Sequence, residues 1–331
     1  MNAMAEFGKP QGNSSIAVVH RWLERRLSPV LGAAHRRSHR RITTTALSIV
    51  LASGIAAFSY AWVAGLRPVA DAVEAGALAA IVSLLTVAAF YPVLKLRNRW
   101  LLQAASIIAH DYFDLLSVLS KLTELRHGES SGHNLRVTVY TLWFAEKLGF
   151  TAAEIVRAAK GALLHDVGKL AVPDRILQKA GPLTSAERAE MAKHVGYGLE
   201  IIAQSHSLHE ATPVVAAHHE RYDGQGYPMG VKAEAIPLEA RLFAMVDVFD
   251  ALTSSRAYKP AYGIEEALAT MAEGRGSHFD PDLFDRFAEL MPNFARQLPN
   301  DEASLAHLLM DCLSPYLNHV VRLGPALDHA T

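Results

Sequence analysis

The chain has 331 residues, enough for roughly two domains, and its formal net charge of −1 conceals a strongly basic first 41 residues. Its single cysteine, Cys312, excludes an internal disulfide and suits a reducing compartment. Sixteen histidines are a rich supply, and five of them fall into one ordered constellation.

In chain order, the basic segment 1–41 comes first. Within it, 16–30 reads either as an amphipathic helix on a membrane surface, with Trp22, Leu23 and Leu27 opposite Arg21, Arg25 and Arg26, or as a solvated tail. Two charge-free runs follow, 42–66 and 75–94, each long enough to cross a bilayer core. The short link 67–74 between them predicts a two-helix transmembrane hairpin over 42–97. Basic residues on both outer flanks, including Lys95, Arg97 and Arg99, predict that both termini face the cytoplasm. The first run starts too far from the terminus and is too long for a cleavable signal peptide.

From Trp100 onward the apolar spacing is helical and nothing reads as a sheet. A helix over 100–125 ends at Gly128–Gly132, and another is predicted over 133–148. Thr151 with Glu154, and Thr184 with Glu187, have the spacing of capping boxes. The first predicts a helix running to His165–Asp166, with Gly168 as its stop; the second predicts the helix bearing His194. Helices are also expected over 213–220, over 238–252, and from Asp280–Pro281 to Leu290, where the aspartate caps and the proline opens the first turn. The fold class is therefore all-α, a bundle over 98–295 with a C-terminal tail at 296–331.

On these helices lie His133, His165, Asp166, His194, His218, His219 and Asp247. Imidazole nitrogens and carboxylate oxygens in that ratio are a ligand set for a mixed N/O transition-metal centre. Bundles build such centres from side chains on separate helices. Adjacent His165 and Asp166 project about 100° apart, so both can reach one cluster. Glu129, four residues before His133, shares its face on a helix, although Gly128 and Gly132 interrupt there. Asp250 rivals Asp247, three residues on and near the same face. Lys169, close after Asp166, is either a phosphate contact or a cation at a helix end. His206, His209, His278 and His307 are expected to be packed or solvated residues.

The series His133, His165-Asp166-Val167-Gly168-Lys169, His194, His218-His219-Glu220, Asp223-Gly224-Gln225-Gly226-Tyr227-Pro228 and Asp247-Val248-Phe249-Asp250 resembles the HD-GYP family, over about 105–292. These are HD-type phosphohydrolases of bacteria that open cyclic di-GMP. The resemblance implies an HD-type helical bundle holding two or three divalent metal ions, iron or manganese. Its ligands would be His133, His165, Asp166, His194, His218, His219 and Asp247, with Glu129 added where three metals bind. Asp250 would then be an outer hydrogen-bond partner. His165, Asp166 and Lys169 would carry catalysis, and Lys169, Gly226, Tyr227, Pro228, Arg256 and Lys259 would meet the substrate.

The product would be pGpG, with GMP as a further one. With the hairpin, the resemblance places the protein in the bacterial inner membrane, its catalytic domain in the cytoplasm. A second copy packing through the helix from Trp100 and signalling proteins are the other expected partners; no nucleic-acid polymer is implied. The chain departs from the family pattern at Ser255, Ala257 and Ala180, none of them an implied ligand. Two alternatives remain: hydrolysis of another cyclic dinucleotide or nucleotide, and a nucleotide-responsive scaffold without catalysis.

Overall fold

Helices account for nearly all regular structure in the computed structural model, which describes residues 71–127, 131–255 and 260–323. Contacts divide the chain into two units, Met1–Leu101 and Leu102–Thr331. Among the described residues no strand forms, and Arg275 with Phe279 makes an isolated bridge.

The expected membrane hairpin and the inner-membrane localisation are corrected here. Among the described residues no helix is long and apolar enough to cross a membrane. The second expected span is part of a much longer helix, α1 (Asp71–His127), which includes residues 71–74 of the supposed turn. Within that helix the apolar run 75–94 passes directly into the cations Lys95, Arg97 and Arg99. It also holds Thr86, Tyr91 and Pro92. The first expected span, 42–66, and the basic segment 1–41 lie outside the described residues.

In the second unit the helix at the centre is α2 (His133–Lys147), buried along most of its length. Its first turn is capped from another helix. The backbone N–H groups of Gly132 and Asn134 donate to the buried Glu124 carboxylate of α1, at 3.3 and 2.7 Å. Beside α2 runs α3 (Ala152–Leu164), opened by the predicted capping box, with Thr151 N–H donating to Glu154 at 2.7 Å. A 3₁₀ turn (Val167–Ala171) and a short α4 (Asp174–Leu177) follow.

The second capping box opens α5 (Ser185–Ala192), but that helix stops before His194. The turn closes at Lys193, whose N–H bonds the Glu190 carbonyl at 3.2 Å, and His194 begins α6 (His194–Ile202), its Nδ1 2.8 Å from the Met191 carbonyl. Then come α7 (Thr212–Ala217), α8 (Leu238–Thr253), α9 (Ile264–Ala272) and α10 (Pro281–Ala295). Asp280 caps α10 as predicted, accepting from the N–H groups of Asp282 and Leu283 at 3.0 and 3.2 Å.

The segment read as a tail contributes a core helix, α11 (Glu302–Leu323), lying across α2 and α3. Leu305, Leu309, Leu313 and Leu317 recur every fourth residue and are all buried. Each such leucine contributes roughly 1.5–3 kcal/mol by leaving water.

Candidate metal centre

Helix ends supply most of the donor groups. His133 opens α2; His165 closes α3 and Asp166 follows it; His194 opens α6; His218 closes α7 and His219 follows it. Only Asp247 comes from mid-helix, on α8. Two helices end at a ligand-bearing pair and two begin at a single histidine, so these side chains converge from helix ends.

Donor atoms of Asp166, His194, His218 and His219 lie within 4.8 Å of one another, and those of His133, His165 and Asp247 form a second such group. The two groups adjoin through Asp166. Its Oδ1 is 3.3 Å from His194 Nε2 and 3.8 Å from His218 Nε2, while Oδ2 is 3.1 Å from His165 Nε2.

The rings are held in one tautomer. His165 Nδ1 lies 2.8 Å from the Ala162 carbonyl, and His194 Nδ1 2.8 Å from that of Met191. His218 Nδ1 lies 3.1 Å from the Val214 carbonyl, and His133 Nδ1 2.8 Å from Asp250 Oδ2. Each oxygen can only accept, so each Nδ1–H donates and each neutral ring turns an Nε2 lone pair inward. His194 Nε2 and His218 Nε2 face each other at 3.4 Å with no proton to share. His165 Nε2 and Asp166 Oδ1 are buried without a hydrogen-bond partner.

Orphaned acceptors in a buried site are costly unless a cation meets them. The donor set therefore fits divalent metal binding. Protonation states agree with this. Burial pushes His218 and His194 below the usual histidine range, and His219 down to about 3. Burial alone would raise Asp166, but the Lys169 ammonium and His165 beside it hold its carboxyl well below the usual range. His165 is the exception: burial lowers it, and the adjoining Asp166 carboxylate more than reverses this. Neutral imidazoles and ionised carboxylates are the forms that ligate cations.

Asp250, the rival, belongs to neither donor group. Besides His133 it accepts from Arg136 Nε at 2.6 Å and from an Arg136 terminal nitrogen at 3.0 Å, and Arg136 also donates to Ser254 at 2.9 Å. Asp247 Oδ1 lies on the opposite side of the ring, 3.5 Å from His133 Nε2. Asp250→Asn, which cannot hold the same tautomer with full charge, is expected to weaken metal affinity roughly 10–100-fold. Isothermal titration with Mn²⁺ checks this, and wild-type affinity would remove Asp250 from the site.

Among the residues implied to meet substrate, Lys169 Nζ lies 2.6 Å from Asp166 Oδ2 and 3.5 Å from His127 Nδ1. Tyr227 stacks on His219 with ring centres 4.6 Å apart. Gly226 passes so close to the backbone of His219, Glu220 and Arg221 that a Cβ would sit 2.4 Å from Arg221 N. Pro228 continues this loop, which Glu220 braces by accepting from the N–H groups of Met229 and Gly230 at 2.7 and 3.1 Å. Glu129, Arg256 and Lys259 lie outside the described residues. His206, His209, His278 and His307 belong to neither donor group.

Sequence reasoning missed Glu124, Arg136 and the bracing role of Glu220. Arg136 follows His133 by one helical turn, a spacing that could have signalled a shared face. Nothing near Glu124 in the sequence points to its role.

These features define an HD domain, and the chain belongs to the HD domain family, which it matches over residues 117–283. It is 40% identical over 191 residues to a cyclic di-GMP phosphodiesterase of Vibrio cholerae serotype O1, covering 53% of this chain and 39% of that protein. Over 174 residues it is 42% identical to the cyclic di-GMP phosphodiesterase response regulator RpfG of Xanthomonas campestris pv. campestris, covering 52% of this chain and 46% of that one. A 3'3'-cGAMP-specific phosphodiesterase 2 of Vibrio cholerae is 37% identical over 183 residues, covering 55% and 35% of the two chains. The chain thus spans less than half the length of these relatives.

Proposed function

We propose that this chain is a metal-dependent phosphodiesterase of bacterial second-messenger signalling that opens cyclic di-GMP to pGpG, with GMP as a further product. The observation that carries this reading is the pair of adjoining donor groups meeting at Asp166, with orphaned acceptors on Asp166 and His165. His133, His165, Asp166, His194, His218, His219 and Asp247 would hold two divalent cations, iron or manganese, and Glu129 is the candidate ligand for a third. Such cations supply a hydroxide nucleophile at neutral pH and polarise phosphoryl oxygens.

The protein's own groups do the rest. Asp250 and the backbone carbonyls hold Nδ1 of His133, His165, His194 and His218 and so aim their Nε2 atoms inward. Lys169 supplies positive charge at the rim of the donor groups, suited to a substrate bearing two phosphodiesters. Tyr227, fixed by His219, forms part of the wall with Gly226 and Pro228, and Arg256 and Lys259 are further candidate phosphate contacts. The experiment is to purify the chain anaerobically, count metals per chain and follow cyclic di-GMP turnover; metal-replete protein without turnover would refute the reading.

Lys169→Ala is expected to lower kcat/KM roughly 10–100-fold, the worth of one charged hydrogen bond, with metal content unchanged. Loss of metal from that variant would reassign Lys169 to holding Asp166. A second substrate, 3'3'-cGAMP, is favoured by the similarity to phosphodiesterases specific for it. Parallel kcat/KM values for the two dinucleotides separate these readings.

A further inference from the structure

Helix α1 has two faces beyond Leu102. One packs into the bundle through Phe113, Leu116, Ser120, Thr123 and Glu124, all buried. The other turns Ile108, Leu115, Val118, Leu122 and Leu125 outward, at 50%, 57%, 58%, 52% and 69% exposure. Successive members are separated by seven, three, four and three residues, the alternation of a and d positions in a heptad repeat, and Asp111 fills the remaining d position. A stripe of period 3.5 drifts around a straight helix and stays on one side only when two helices wind about each other. Contiguous exposed aliphatic surface of this kind marks an interaction face.

We propose that this face seats a second copy of this chain, the two α1 helices packing along each other as a two-stranded coiled coil. A copy brings a seam of identical length and spacing, as a two-fold interface requires. The half-exposed aliphatic side chains of both copies would together remove on the order of 1,000 Å² from water, which reaches the threshold for a specific interface. The cations flanking the seam are engaged within their own chain: Lys121 with Glu124 and Glu302, and Arg126 with Asp174 and the Val172 carbonyl. Apolar packing therefore drives the association, and Asp111 acts as the single polar position that restricts register.

The same helix touches the metal centre on its inner side. Glu124 caps the turn carrying His133, Arg126 ties down the segment after Lys169, and His127 lies beside Lys169. The partner copy thus leans on the helix that holds these groups.

Sedimentation velocity of the full purified chain at micromolar concentration tests the proposal. The wild-type chain is expected at twice its monomer mass. Leu115→Glu/Leu122→Glu is expected at monomer mass with unchanged helical circular dichroism, and Gln103→Glu, exposed on the same helix away from the seam, stays dimeric. If the double variant loses helicity, Leu122→Gln replaces it and must weaken the dimer at least about tenfold in Kd. A monomeric wild-type chain overturns the proposal, whether its own earlier residues or another protein covers the seam. So does a dimer that the seam substitutions leave unchanged.

Discussion

Asp166→Asn is expected to strip at least one metal ion from each chain and to abolish measurable turnover. The substitution preserves size, so packing is nearly untouched. What changes is charge and acceptor capacity at the atom pair that joins the two donor groups. Oδ1 faces His194 and His218, and Oδ2 faces His165 and Lys169. An amide offers one oxygen where the carboxylate offers two, and its NH₂ would point a proton at a lone pair or at a cation. Losing an outer partner costs roughly 10–100-fold in metal affinity or activity, and a group shared by both sites should exceed that range. Metal counting by plasma emission, alongside cyclic di-GMP turnover, checks the result. Full metal content with intact turnover would break the link between the two groups.

Gly168→Ala is expected to be the most damaging one-atom change away from the ligands. A Cβ there would stand 1.8 Å from the His194 carbonyl oxygen and 2.4 Å from Gly198 N. Both are backbone atoms, so no rotamer relieves the clash. The turn after Asp166 and the start of α6 must separate, and those two segments carry Asp166 and His194. A loss of about 3 kcal/mol in stability, the upper end for overpacking, is expected together with loss of metal. Gly196→Ala is the control. It lies on α6, the helix that Gly168 approaches, with open space around its Cβ position, and is expected to gain about 0.5–1 kcal/mol from lower backbone entropy. Urea unfolding of both variants, metal-free, compares them, and equal stabilities would mean the close approach is not required.

Several features were legible because their cause is local. Thr151 with Glu154 and Thr184 with Glu187 satisfy each other's backbone groups within one turn, and both boxes form as read. Asp280–Pro281 caps and opens α10 for the same reason. The seven donor residues stood out through residue chemistry and order, and the structure gathers them into two adjoining groups.

Other features were not legible, because their cause is a contact distant in sequence. The break at Lys193 that makes His194 open a separate helix is one such feature, since helical periodicity does not encode it. The segment 296–331 had no motif, yet its leucines complete the core over α2 and α3. The membrane hairpin rested on apolar run length alone, and α1 runs straight through the end of its second span.

The sequence by itself determined the all-α class, the capped helix starts after Thr151, Thr184 and Asp280, the ligand types and the HD family resemblance, since each rests on propensity, capping or side-chain chemistry within a few residues. Tertiary structure decided how the donors divide, that Asp166 lies between the groups, and that Gly168 must lack a side chain. It also decided that Glu124, Arg136 and Asp250 hold the turn and ring of His133. These depend on distances between helices far apart in the chain, and only packing of the folded core sets them.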